Sequence, residues 1–178
     1  MEYSVFDSDQ SEKVIELFTR VFSDSEGQDE GKLIGNLVSE LITTKAQDVF
    51  GFVGTDQERV VAGIFFSRLR FEDDGIKAFI LSPVAVDTSY QGKGIGQQLI
   101  RLGIQHLKEQ GVELVLTYGD PNFYQKVGFE PVSEELVKAP LKLTHPEGWL
   151  GQSLTDDEIK AIAGPSRCVE ALNKPEYW

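Results

Sequence analysis

From Val14 the apolar residues fall three and four apart: Val14, Ile15, Leu17, Phe18, Val21 and Phe22. That spacing predicts an amphipathic helix, and Asp9 with Glu12 forms a D-x-x-E pair that reads as its capping box. A short strand over residues 2–6 precedes it. The polar run "SDSEGQDEG" (23–31) is expected to break the helix, and a second one, starting near Glu30, carries Leu33, Ile34, Leu37, Val38 and Leu41. Two β-rich runs then flank the turn-like "GTDQE" (54–58), a hairpin pattern. After "EDDG" (72–75) a third long strand is expected from Ile76 to Asp87.

A glycine-rich loop and a helix over 94–110 follow. Ile95, Leu99 and Leu102 form one apolar line, Ile100, Ile104 and Leu107 another, and Gly111 stands as the C-cap. "VELVLTY" (112–118) reads as a buried strand. Asp120 and Pro121 read as the N-cap and first position of a short helix that Gly128 ends. "FEPVSEELVKAPLKL" holds one or two more strands, and Thr155 with Glu158 reads as the capping box of a helix ending at Gly164–Pro165. The order β-α-α-β-β-β-α-β-α-β-β predicts a mixed α/β (α+β) layer fold, its sheet antiparallel at first and then joined through a crossover helix.

Length and charge narrow the function. The 178 residues suit one well-cored domain over 1–178. The net charge of −12 repels nucleic acid and favours a cationic partner such as an amine. There is no apolar run long enough for a membrane span, and the acidic start "MEYSVFDSDQ" reads against a secretory signal. One cysteine, Cys168, allows neither an internal disulfide nor a cysteine metal cluster, so a cytoplasmic protein without metal is expected. His106 reads as a surface residue, and Trp149 and Trp178 as the packing of the tail.

The chemistry concentrates in "AVDTSYQGKGIG" (85–96). Glycines at 92, 94 and 96 let a ligand approach the main chain at the start of a helix, where free N–H groups favour a phosphate or pyrophosphate. Lys93 adds a positive charge. Neither the dinucleotide fingerprint nor the P-loop fits, because position 97 is Gln and no G-K-[ST] occurs.

What fits is Q-x-x-G-x-G, in Gln91, Gly94 and Gly96. With "LSPVAVDTSYQGKGIG" and the later "FYQKVGF" (123–129), the chain resembles the GNAT superfamily of acyl-CoA-dependent N-acetyltransferases, in its small bacterial branch. The resemblance spans residues 1–132 in element order, with 133–178 as strands and a tail packed on that core; its sharp part is 81–129. It departs at "TYGDPNF" (117–123), where many members carry N-x-x-A.

The resemblance implies a central sheet whose two middle strands splay into a cleft, with acetyl-CoA as co-substrate. Backbone N–H groups of Gln91, Gly92, Lys93, Gly94, Ile95 and Gly96 would hold its pyrophosphate. Val84, Ala85 and Val86 would pair with the pantetheine arm and supply oxyanion donors, and Asn122 and Tyr124 would add contacts. Tyr124 would protonate the departing thiolate. Asp120 would orient it or take a proton from the amine, and in the acidic stretch where Glu30 opens the second helix any of Asp24, Glu26, Asp29 and Glu30 could take a proton, directly or through water. The expected partner is an amine, and the expected state a monomer or homodimer. A GNAT-like module that senses acyl-CoA without turnover is the alternative.

Overall fold

The structure is a computed structural model that describes residues 1–72 and 75–178. The expected turn at 72–75 therefore lies partly outside the described residues. The elements are β1 (Glu2–Val5), α1 (Ser11–Glu26), α2 (Gln28–Ile42), β2 (Val49–Asp56), β3 (Arg59–Phe71), β4 (Ala78–Val86), α3 (Ile95–Glu109), β5 (Leu114–Tyr118), α4 (Pro121–Tyr124), β6 (Glu130–Pro131), β7 (Trp149–Ser153) and β8 (Ser166–Arg167). The strands form an eight-stranded sheet in the order β1-β2-β3-β4-β5-β7-β6, with β8 on β3. β4 and β5 run parallel, while β1–β2, β3–β8, β5–β7 and β6–β7 are antiparallel. This is the mixed, mostly antiparallel sheet the sequence predicts. Two compact units divide the chain: Met1–Phe66 with Pro83–Gly103, and Ser67–Ser82 with Ile104–Trp178.

In the first unit, α1 buries Val14, Leu17, Phe18 and Val21, the expected stripe. The helix starts differently. Asp7, not Asp9, is the cap, paired with Gln10 in a capping box that opens a 3-10 turn ahead of α1. Asp9 instead donates its backbone N–H to Asp7 Oδ1 at 2.8 Å. The polar run 23–31 breaks the helix as expected, but at one residue rather than over a loop. α1 continues to Glu26 and α2 begins at Gln28, with only Gly27 (φ 100°) between them. The run contains no proline, and a helix can carry polar residues on its solvent side, so polarity alone does not end it. The β2–β3 turn is tighter than 54–58: it is Gln57 and Glu58, both left-handed (φ 47° and 66°), as a two-residue hairpin turn requires. Along α3 the buried side is Ile95, Leu99, Ile100, Gly103 and Leu107, while Leu102 is exposed. Gly103 takes the inward place because a Cβ there would collide with the Phe66 ring.

In the second unit, Val112 N–H donates to Leu107 C=O and Gly111 N–H to Lys108 C=O, which closes α3 with a left-handed glycine as expected. β5 is buried along Leu114–Thr117 and pairs with β4 over Ala78–Leu81. The region after Phe129 yields only two strand residues, β6, and the partner of both β5 and β6 is β7, a strand from the tail. The helix expected from Thr155 to Gly164 does not form. Thr155 Oγ1 accepts from Asp157 N–H at 3.2 Å in a local turn, and Ile162 N–H goes to Leu136 C=O, so the backbone bonds a helix needs are used elsewhere. Trp149 and Trp178 pack the tail as expected, their indole N–H groups donated to Val137 C=O (2.9 Å) and Leu172 C=O (2.8 Å).

Candidate active site

In the first unit the Gly loop joins β4 to α3. Gly92 and Gly94 are left-handed (φ 77° and 76°), and a Cβ at either would meet open space. These glycines are therefore set by backbone angle, and the side of the loop they present is unobstructed. Gln98 N–H closes the first turn of α3 onto Gly94 C=O at 3.0 Å. The N–H groups of Ile95, Gly96 and Gln97 come before that bond, at the positive end of the helix. Ile95 is anchored in the core at 7% exposure. The Lys93 ammonium lies over the Tyr90 ring, 5.2 Å from its centroid. Gln91 does not point into the loop: its Nε2 donates to Val86 C=O at 3.0 Å and braces the loop to the end of β4. Ala85 is buried, and Val84 and Val86 keep partial exposure.

A brace the sequence did not reveal supports this loop. Asp87 is buried and receives Arg20 and Arg59 on Oδ2, both at 2.8 Å. Its Oδ1 takes Ser89 N–H (3.0 Å) and Ser89 Oγ (2.7 Å). Burial pushes its carboxyl up, but the hydrogen bonds from Ser89 and Arg20 and the charge of Arg59 outweigh it and hold the group below its ordinary value. Tyr90 Oη donates to Asp56 Oδ2 at 2.8 Å. The D-x-S spacing of an Asx turn was the one visible signal; Arg20, 67 positions away, had none.

The acidic stretch is split. Asp24 accepts from Thr88 Oγ1 at 3.4 Å, which places it against the turn before the loop. Glu30 lies in the first turn of α2, where partial burial and the neighbouring Glu26 raise its carboxyl above the usual range. Glu26 and Asp29 are exposed.

The second unit holds the other predicted residues. Asp120 caps α4, accepting from Asn122 N–H at 2.9 Å, with Pro121 next, as expected. Asn122 is exposed. Tyr124 keeps partial exposure. Burial pushes the phenol up to about 12, and the Asp120 carboxylate adds to it. Thr117 Oγ1 donates to Leu81 C=O at 2.8 Å. Leu81–Thr117 is also the last registered pair of β4 and β5, after which β4 continues to Val86 without β5. A cavity of about 320 Å³ opens beside α4, lined among others by Tyr118, Asp120, Pro121, His145 and Glu147. His145 N–H donates to Tyr118 Oη at 2.7 Å, and its Nδ1 lies 3.5 Å from Glu147 Oε1. Burial pushes the Cys168 thiol up to about 11, which does not suit a nucleophile.

Residues 47–131 match the family model of the acetyltransferase (GNAT) domain. The uncharacterized N-acetyltransferase YjhQ of Escherichia coli (strain K12) is 30% identical over 173 residues, covering 94% of this chain and 92% of its own length. Among solved structures, the GNAT family N-acetyltransferase YhbS from Escherichia coli in complex with CoA superposes with a TM-score of 0.81 at 26% identity, covering 97% of this chain and 92% of that one. A GNAT family acetyltransferase from Brucella melitensis in complex with acetyl-CoA shares the fold with a TM-score of 0.72 at 19% identity, over 97% of both chains.

Proposed function

We infer the reaction from the premise that this chain belongs to the GNAT acetyltransferase family: it is an N-acetyltransferase that takes its acetyl group from acetyl-CoA, and its acceptor is a primary amine. The observation that carries this reading is the loop at the start of α3, left-handed at Gly92 and Gly94 with open space where a Cβ would stand. Such a loop fits a pyrophosphate, since its N–H groups converge where the helix dipole is positive and Lys93 is at hand. The solved relative YhbS, with CoA bound, supports the same assignment.

Gln91 to Gly96 bind the pyrophosphate through the main chain. The stretch of β4 beyond its ladder with β5, Val84 to Val86, pairs with the pantetheine arm and donates to the oxyanion. Asn122 adds a coenzyme contact. Tyr124 gives its proton to the departing thiolate. Because an alkylamine is charged near neutral pH, with a pKa close to that of lysine, about 10.4, a carboxylate must take its proton. Asp120, on the cavity beside α4, and Glu30, with its raised carboxyl, are the two groups assigned to this step. The acidic cavity and the net charge of −12 favour a cationic acceptor. The enzyme works without metal in the cytoplasm, as one domain over 1–178 and as a monomer or homodimer, which light scattering on the purified protein decides.

The test is calorimetric titration with acetyl-CoA, CoA and NADH, followed by thiol release from acetyl-CoA with a panel of alkyl monoamines, alkyl diamines and lysine peptides. Binding of both CoA species and turnover with one amine are expected. Absence of binding sinks the loop assignment, and binding without turnover on any amine leaves the non-catalytic sensor.

A further inference from the structure

The Gly loop has little stiffness of its own. Glycines at 92, 94 and 96 give its backbone more freedom than other residues would, so the direction of its N–H groups is fixed from outside. At its far end α3 does this, with Ile95 in the core and Gln98 N–H on Gly94 C=O. At its near end stands the turn 87–90, and Asp87 is the centre of that turn. The Asp87 N–H donates to Val61 C=O on β3 at 2.7 Å, and its C=O accepts from Tyr90 N–H at 2.8 Å. Its carboxylate bonds in two directions. Oδ1 accepts from Ser89 N–H and Ser89 Oγ, inside the turn. Oδ2 accepts from Arg20 on α1 and Arg59 at the start of β3, outside the turn, both at 2.8 Å. α1 reaches the turn again one helical turn later, where Asp24 accepts from Thr88 Oγ1 at 3.4 Å. All of these residues belong to the first unit. An exposed ion pair is worth little, but the Asp87 side chain is only 6% exposed and both its oxygens are occupied, so the loss of a partner is felt.

We propose that Asp87 and Arg20 are positioning residues for the coenzyme: through the turn 87–90 they hold the loop 91–96 so that its N–H groups are aligned before the pyrophosphate arrives. This rests on the loop being the pyrophosphate site of the reading above. Alignment in advance acts on affinity, because a loop already ordered has less conformational freedom to lose on binding, about tenfold in Kd for each backbone residue that would otherwise have to be fixed. It leaves the chemical step alone, since the pyrophosphate and the thioester lie at opposite ends of the pantetheine arm. Arg20 is thus a residue of α1, 67 positions before Asp87, that sets how tightly acetyl-CoA is held.

The experiment measures three quantities: the Kd of acetyl-CoA by calorimetry, kcat at saturating acetyl-CoA with the best amine of the panel, and the melting temperature. It compares Arg20→Met, Arg20→Lys, Asp87→Asn and the Arg20→Met/Asp87→Asn double variant, with Gly94→Glu as the reference for a lost loop. Methionine keeps the apolar stem of arginine and removes only its charged head. Arg20→Met should weaken binding of acetyl-CoA by about tenfold, the worth of a hydrogen bond between charged groups, with kcat at saturation unchanged. Arg20→Lys should recover part of the affinity, because lysine restores the charge without the planar fork. Arg20→Met should cost little further in the Asp87→Asn background. If Asp87→Asn does not fold, Arg59→Met replaces it, since it takes the other partner from the same oxygen, and it should weaken binding as Arg20→Met does. An Arg20→Met protein that melts lower but binds acetyl-CoA as the native chain does overturns the proposal, because the brace then serves stability alone. An equal loss from Arg20→Met in both backgrounds also overturns it, because the effect then does not pass through Asp87. A fall in kcat at an unchanged Kd overturns it as well. Normal binding by Gly94→Glu overturns the loop reading and this proposal together.

Discussion

Gly94→Glu isolates the loop from the rest of the fold. At φ 76° a residue with a Cβ is strained, by about 1–2 kcal/mol for the left-handed region. A Cβ at this place meets nothing within 4 Å, so no clash adds to the strain. Against a typical stability of about 5–15 kcal/mol the variant stays folded, and for a chain of this size the melting temperature should fall by about 2–8 °C. The effect on binding is larger. A carboxylate about 5 Å from one phosphate charge repels it by about 0.8 kcal/mol in water and about 3 kcal/mol at an effective dielectric near 20. The longer side chain also fills the open space in front of the N–H groups. We expect affinity for acetyl-CoA to drop by at least tenfold in calorimetric titration. Gly94→Ala is the control, since it carries the same backbone strain without the charge and should lose far less affinity. A Gly94→Glu protein that melts normally and binds acetyl-CoA as the native chain does would refute the loop's assignment.

Four further outcomes follow from the same structure. Tyr124→Phe should keep its affinity for acetyl-CoA and lose about a hundredfold in kcat, the lower range for a general acid. In the native enzyme Tyr124, holding its proton to about 12, should produce no alkaline fall in kcat below about pH 11, and a fall near pH 10 that disappears in the Phe variant would contradict this. Asp87, held below its ordinary value, stabilises the fold in its ionised form. That contribution is complete above the unfolded value of about 3.9 and is lost as pH falls through the lower folded value, so urea midpoints of Asp87→Asn measured against pH should lack this acid-side drop. Ser67 Oγ is buried with no hydrogen-bond partner among the described residues, and Ser67→Ala should leave the melting temperature unchanged or raise it by a few degrees, about 1 kcal/mol at most; a marked loss would show that the hydroxyl has a partner.

Local signals were legible wherever the backbone itself decides. Apolar residues three and four apart located α1, α2 and α3, and Gly111 and the Asp120–Pro121 pair marked real helix ends. The hairpin was visible as a turn but not as a two-residue turn, because Gln57 and Glu58 are unusual occupants of left-handed positions. Reading failed where one local pattern competed with another. S-D-S-E looks like a loop and yet continues a helix, and T-x-x-E looks like a cap where the tail's backbone bonds elsewhere. β7 was missed because its short apolar segment is defined by pairing with β5 and β6, a long-range fact that periodicity does not carry.

The candidate site divides along the same line. Gly92 and Gly94 were legible because a positive φ leaves its mark as glycine. Tyr124 was legible only through the motif around it, and what the motif could not carry was its electrostatics. A free phenol near pKa 10 would be an easy match for a thiolate; Tyr124, pushed up to about 12, is a harder one. The chemistry then depends on groups that lower the cost of the phenolate at the moment it forms. If Tyr124 gives its proton to the thiolate, Asp120 lowers that cost by losing its charge as it takes the amine's proton, because the same carboxylate that opposes the phenolate when ionised no longer opposes it when protonated. The two proton movements thus favour each other, deprotonation of the amine making Tyr124 the better acid. That link was not visible from spacing, where Asp120 reads as an ordinary cap, which it also is.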